Sequence, residues 1–196
     1  MAIINQATKE LQVKIVYYGP ALGGKTTNLV QVHEHVQTQE GHKGKLVSLA
    51  TSSDRTLFFD FLPIEAMAIK GFKTKFQLYT VPGQVIYNTT RQLVLRGVDG
   101  IVFVADSQAE RLEANVESMQ NLYDNMAEYG YDLTAMPFVI QYNKRDMDNI
   151  IPVEEMEQEL NPEKFPSFPA VAVKGDGVFD TLKCVAKGVL KKLSQN

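Results

Sequence analysis

The 196-residue sequence predicts a single α/β domain, a mostly parallel sheet of six or seven strands with helices on both faces, built around a phosphate-binding loop. Three observations point to it. Short apolar runs alternate with amphipathic stretches, the order that parallel β-α-β units require. A composition 44% hydrophobic and 22% charged suits one sizeable core, and no repeat or low-complexity linker divides it. Finally, Gly19-Pro20-Ala21-Leu22-Gly23-Gly24-Lys25-Thr26 fits the pattern G-x-x-x-x-G-K-[ST] directly after the apolar run Val13-Lys14-Ile15-Val16-Tyr17-Tyr18.

In chain order, a first strand over 13–18 turns through the glycines into a helix over about 25–36, and a polar loop follows over 37–44. Further strands are expected at 45–49, 57–61, 72–79, 100–105, 137–142 and 170–173. Leu112, Val116, Met119, Tyr123 and Met126 recur at helical spacing, as do Phe179, Leu182, Val185, Ala186, Val189 and Leu190. Both stripes read as the core-facing sides of helices that cover the sheet. Phe58, Phe59, Phe61, Phe72 and Phe76 read mostly as core by alternation, the first three with a possible share in partner contact.

Composition also excludes. A formal net charge of −3 gives no electrostatic footprint for a polynucleotide, so no nucleic-acid partner is expected. Cys184 is the only cysteine, which rules out an intramolecular disulfide and reads as a small packed apolar residue. No apolar run nears the ~20 residues of a membrane span. The start Met1-Ala2-Ile3-Ile4-Asn5 fits neither a signal peptide nor a myristoylation site, and the last residues carry no prenylation cysteine. A soluble, cytoplasmic chain that is monomeric when free is the expectation. His33 and His35, two apart on a helix, face different ways and make poor metal ligands, and His42 in its polar loop reads as solvated.

The loop has a specific chemistry. A strand that turns through glycines into a helix aims several N–H groups and the positive helix end at one point, where a phosphate sits. Gly19, Leu22, Gly23, Gly24, Lys25, Thr26 and Thr27 would line that site, Lys25 placing positive charge near the β- and γ-phosphates and the Thr26 hydroxyl ligating Mg²⁺. At the end of a later strand, Asn143-Lys144-Arg145-Asp146 fits N-K-x-D. The Asp146 carboxylate can accept from the ring N1–H and the 2-amine of guanine, which adenine does not offer, so the expected ligand is GTP or GDP rather than an adenine nucleotide. Asn143 would hold the other edge of the base or brace the phosphate loop, the Lys144 stem would lie along base and ribose, and the Ala172 N–H would meet the base oxygen.

Two further segments suggest a switch. In Thr80-Val81-Pro82-Gly83-Gln84 the Gly83 N–H can approach a γ-phosphate and Gln84 can orient an attacking water. In the polar loop before the aromatic strand, Thr56 would complete the Mg²⁺ shell and Arg55 would offset transition-state charge. The switch regions are therefore expected at 45–62 and 80–95, with an N-terminal extension at 1–10.

With these residues the chain resembles the small Ras-like GTPases, and more closely the bacterial MglA family of gliding-motility and polarity GTPases. The resemblance runs through 14–20, 54–63, 78–84 and 141–146. It implies a G domain, a GDP/GTP switch that engages polarity and motility effectors, and recruitment to a cell pole. It also implies hydrolysis accelerated by an MglB-like roadblock homodimer, which positions Arg55 in cis together with Gln84, and a shift of the strand near 57–61 between states. Two positions depart from the wider pattern. Thr80 stands where most Ras-like GTPases have an aspartate that holds a Mg²⁺-bound water, which leaves the metal to Thr26 and Thr56, with a nearby carboxylate such as Asp60 acting through water. Ala21 stands where this family usually has glycine, and its methyl would crowd the γ-phosphate, Gln84 or Arg55. Two readings of activity stay open: a GTP-hydrolysing switch, and a GTP-dependent binding module that hydrolyses very slowly. A P-loop small-molecule kinase is disfavoured because N-K-x-D would then have no use.

Overall fold

The computed structural model of the chain describes residues 2–37, 46–50, 56–69 and 71–195. In order, the elements are β1 (Ile3–Asn5), β2 (Glu10–Tyr18), α1 (Lys25–Gln37), β3 (Val47–Ala50), β4 (Thr56–Ile69), β5 (Phe72–Thr80) and α2 (Asn88–Leu95). These are followed by β6 (Gly100–Asp106), α3 (Leu112–Glu128), β7 (Phe138–Asn143), α4 (Val153–Leu160), β8 (Ser167–Pro169) and α5 (Val178–Gln195). All the described strands join one sheet, seven of them in the order β3-β4-β5-β2-β6-β7-β8, with β1 paired to β2 off this path. Its centre is parallel, β5-β2-β6-β7-β8, because each crossover carries a helix; the β3-β4-β5 edge is antiparallel.

Among the described residues eight strands are present, where the sequence reading gives six or seven. The addition is β1, which pairs antiparallel with residues 10–12 of β2, beyond the point where β6 takes over the same side at residue 15. Three residues are too few to show alternation. The strand expected at 170–173 ends earlier, at Pro169, and Ala172–Lys174 instead forms a 3₁₀ turn closed by Gly175 at φ 81°. β4 extends to Ile69, well past the expected 61.

Alternation along the central strands builds two cores. Val13, Ile15 and Tyr17 of β2 with Val102 and Val104 of β6 face α1 and α5, through Leu29, Val32, Leu182, Val185 and Val189. Val16 and Tyr18 with Ile101, Phe103 and Ala105 face α2, α3 and α4, through Leu95, Met119, Leu122, Met126 and Met156. A sheet covered on both sides has strands that are apolar at every position, and β6 is buried throughout. Burying each Leu, Ile or Phe here contributes about 1.5–3 kcal/mol. The stack leaves the carboxyl ends of β2, β6 and β7 side by side at one end, where ligands of open α/β sheets bind.

The α3 stripe is rotated from the one expected. Val116 is 42% exposed, while Asn115, Ser118 and Asn125 are buried. The Asn115 amide hydrogen-bonds both the N–H and the C=O of Asp106, at 2.9 and 2.8 Å, so a polar residue occupies the core-facing side.

Candidate functional site

The phosphate loop leaves β2 at Tyr18 and enters α1 at Lys25, with Gly23 N–H donating to Pro20 O at 3.3 Å. Leu22 holds φ 64°, a left-handed conformation costly for a side chain. Gly24 has φ 102°, and a Cβ there would stand 2.1 Å from Asn143 Nδ2. Only glycine allows the second motif to lean on the first.

That contact is the hinge of the site. Asn143, at the end of β7 and almost wholly buried, donates from Nδ2 to Gly23 O at 2.9 Å and accepts the Ala172 N–H on Oδ1 at 2.9 Å. Of the two roles read for Asn143, the structure places it as the brace of the phosphate loop. The Ala172 N–H, expected to meet the base oxygen, is engaged by Asn143 instead. Lys144 follows at φ 66°, its Nζ 2.6 Å from the buried carboxylate of Asp106 and 3.1 Å from Gln108 Oε1. Asp146 lies 3.6 Å from Lys174 Nζ. Behind them the side-chain amides of Asn28 of α1 and Gln141 of β7 exchange two hydrogen bonds of 2.8 and 3.0 Å, and Gln141 Nε2 donates to Thr181 Oγ1 of α5 at 3.1 Å. Both motifs therefore rest on one rigid polar spine.

Lys25 is buried, with Nζ donating to Gly19 O at 3.0 Å and to Pro20 O at 2.6 Å. Burial first, and then the positive charge of Arg91, push its pKa down to about 7; Asp60 opposes this, and Arg111 adds the smallest lowering effect. Arg111 donates to Ala21 O at 2.8 Å. Lys25 and Arg111 both converge on the phosphate loop, with Arg111 Nε also 3.8 Å from the Asp106 carboxylate, and two cations against one backbone loop suit an anionic ligand.

A second buried carboxylate, that of Asp60 of β4, stands beside Thr26. Its Oδ2 accepts from Thr26 Oγ1 at 2.6 Å and from Thr80 Oγ1 at 2.9 Å, and the Thr80 hydroxyl in turn accepts the Asp60 N–H at 2.8 Å. Thr80 thus fixes on the neighbouring strand the carboxylate that its own position lacks. A threonine hydroxyl and a carboxylate are hard oxygen donors of the kind Mg²⁺ takes.

Comparisons with known proteins agree with this geometry. Residues 1–189 match the ADP-ribosylation factor family. The chain belongs to that family. It is 59% identical over 195 residues to the mutual gliding-motility protein MglA of Myxococcus xanthus, covering 100% of this chain and 99% of that protein. Lower similarity extends to the Ras-related protein SEC4 of Saccharomyces cerevisiae, 28% identical over 142 residues, 72% of this chain and 63% of that one. It extends also to the human ADP-ribosylation factor-like protein 4A, 26% identical over 189 residues, 91% of this chain and 84% of the other. This member of the ADP-ribosylation factor family is a small GTPase with the fold read from its sequence.

Within this GTPase the structure gathers Gly19, Leu22, Gly23, Gly24, Lys25, Thr26, Asn143, Lys144 and Ala172 at one end of the sheet, with Thr27 in the first turn of α1. Gly83 packs on the loop: a Cβ at Gly83 would lie 2.2 Å from Ala21 Cα. Gln84 shares with Pro20, Ala21, Arg111 and Ser118 a cavity of about 270 Å³. Arg55 lies outside the described residues, as does His42, and Thr56 is described only as the first residue of β4, paired with Ala50. Asp106, Arg91 and Arg111 escaped the sequence reading because each is ordinary in its local segment. The one available signal was Asp106 closing a fully apolar strand. Among the described residues no helix is long and apolar enough to cross a membrane.

Proposed function

We propose that this chain works as a GDP/GTP switch in bacterial cell polarity and gliding motility, hydrolysing GTP with help from an MglB-like roadblock homodimer. The observation that carries the reading is the 59% identity, across nearly the whole of both chains, to a mutual gliding-motility protein. The geometry supports it, because the phosphate loop and the N-K-x-D loop are joined through Asn143. In this reading Thr26, Thr56 and Asp60 hold Mg²⁺, which supplies charge neutralisation at the β- and γ-phosphates. Lys25 leaves the carbonyls of Gly19 and Pro20 for the phosphate oxygens. The Gly83 N–H faces the γ-phosphate, Gln84 orients the attacking water and Arg55 offsets the charge that develops. Asp146 and Lys144 select guanine, and polar recruitment follows from the GTP-bound shape. Single-turnover hydrolysis of GTP, with and without a roadblock partner, tests this. Phosphate release at the buffer rate in both conditions would remove the hydrolytic reading.

A specific observation favours a second reading, a GTP-dependent binding module with very slow hydrolysis. Ala21 and Gln84 line the same small cavity, so a methyl there competes for the space in which the glutamine must work. Ala21→Gly is then expected to raise the single-turnover rate about tenfold with GDP affinity unchanged. An unchanged rate would dismiss Ala21 as the brake.

A further inference from the structure

We propose that Arg91 is a positioning residue for this GTPase: by gripping two successive carbonyls, those of Pro82 and Gly83, it aims the Gly83 N–H at the phosphate loop and fixes the stem of Gln84. The inference rests on the switch reading above. Arg91 lies in α2 and is fully buried. Its Nε donates to Pro82 O at 2.9 Å and its Nη2 to Gly83 O at 2.7 Å. The remaining nitrogen, Nη1, donates to Asn121 Oδ1 at 2.6 Å and to the Tyr18 hydroxyl at 3.3 Å, and the guanidinium sits 4.9 Å from the centre of the Tyr18 ring. Among the described residues no ion pair reaches it. A buried guanidinium held by carbonyls rather than by a carboxylate is costly to desolvate, and an apolar side chain of similar size would fill the same volume. What the arginine adds is a planar fork that fixes the direction of the groups it holds.

The direction matters because a trans peptide is planar and sets its C=O and N–H on opposite sides. No described peptide bond is cis. Turning Pro82 O toward Arg91 therefore turns the Gly83 N–H away from it, and Gly83 itself packs against Ala21 of the phosphate loop. Turning Gly83 O toward Arg91 likewise sets the backbone from which the Gln84 side chain departs. The fork has a fixed anchor. Asn125 of α3 donates to the Tyr18 hydroxyl at 3.0 Å and to Asn88 Oδ1 at 2.8 Å, and Asn121 donates to Asn88 Oδ1 at 3.0 Å, so β2 and α3 hold both the arginine and the start of α2.

Arg91→Lys keeps a cation of nearly the same length and loses the fork. The expected result is GDP affinity within about twofold of the unsubstituted chain, affinity for a non-hydrolysable GTP analogue lower by about tenfold, and single-turnover hydrolysis slower by about tenfold or more. If the arginine acts through Gln84, Arg91→Lys adds less than about twofold slowing to Gln84→Ala. A merely structural arginine would instead weaken both nucleotides alike and slow both backgrounds equally, and either result overturns the proposal. If Arg91→Lys fails to fold, Asn121→Ala removes one anchor of the fork, with an expected threefold or so slowing that again vanishes in Gln84→Ala; equal slowing in both backgrounds overturns the proposal. A chain that binds GTP without hydrolysing it defeats the hydrolytic reading instead, and the analogue-to-GDP affinity ratio then decides on Arg91, an unchanged ratio overturning its role.

Discussion

Lys25 sits with its ammonium against two loop carbonyls, and burial holds its pKa at about 7 against the ordinary 10.5 of the unfolded chain. Between these values the unfolded chain binds a proton that the nucleotide-free fold lacks, so stability of that fold rises with pH across the window; below about 7 the whole cost of a buried charge is present. Phosphates restore the charged form. Nucleotide binding at about pH 8 is therefore expected to take up about one proton, readable by calorimetry in buffers of different ionisation heat, and affinity is expected to weaken as pH rises above 7. No uptake would mean that Lys25 does not meet the phosphates. Asp60 carries a separate expectation: Asp60→Asn keeps a hydrogen-bond acceptor for Thr26 and Thr80 and loses the charge a metal needs. GDP affinity should fall at least about tenfold in Mg²⁺ and stay the same in EDTA.

At the scale of elements, Asn143 ties together the ends of β2, β7 and the 3₁₀ turn at Ala172–Lys174. Asn143→Ala would leave Gly23 O and the Ala172 N–H buried without that partner, at about 1–3 kcal/mol each. Nucleotide affinity is expected to drop by tenfold or more, seen in an equilibrium titration with a fluorescent GDP; wild-type affinity would show that the loops are held in some other way. Legibility also divides at this scale. α1 starts and ends close to where its sequence says, because a glycine loop and an apolar face mark it. The α3 face was misread by its apolar residues because Asn115, Ser118 and Asn125 turn inward, and the bonds of Asn115 to Asp106 and of Asn125 to Tyr18 compensate a burial that a hydrophobic pattern cannot show.

The whole molecule answers to its ligand by mass action. At a hundredfold excess over Kd a nucleotide adds about 2.7 kcal/mol to the folded state, which in a chain of this size is roughly 5–11 °C of melting temperature. GDP is expected to give that rise and ADP none, followed by a thermal melt; an equal rise with both would remove guanine selection by Asp146. By itself the sequence determined the fold class, the phosphate loop and the N-K-x-D loop, because each depends on a strand, a turn and a helix start that lie within about ten residues of one another. The tertiary structure alone decided that Thr26 and Thr80 both bond the Asp60 carboxylate, that Asn143 bonds the phosphate loop, and that Arg91 grips Pro82 and Gly83. Those facts depend on strand register and on which polar groups are left to pair once the sheet is covered on both faces, and neither is written in any local run of residues.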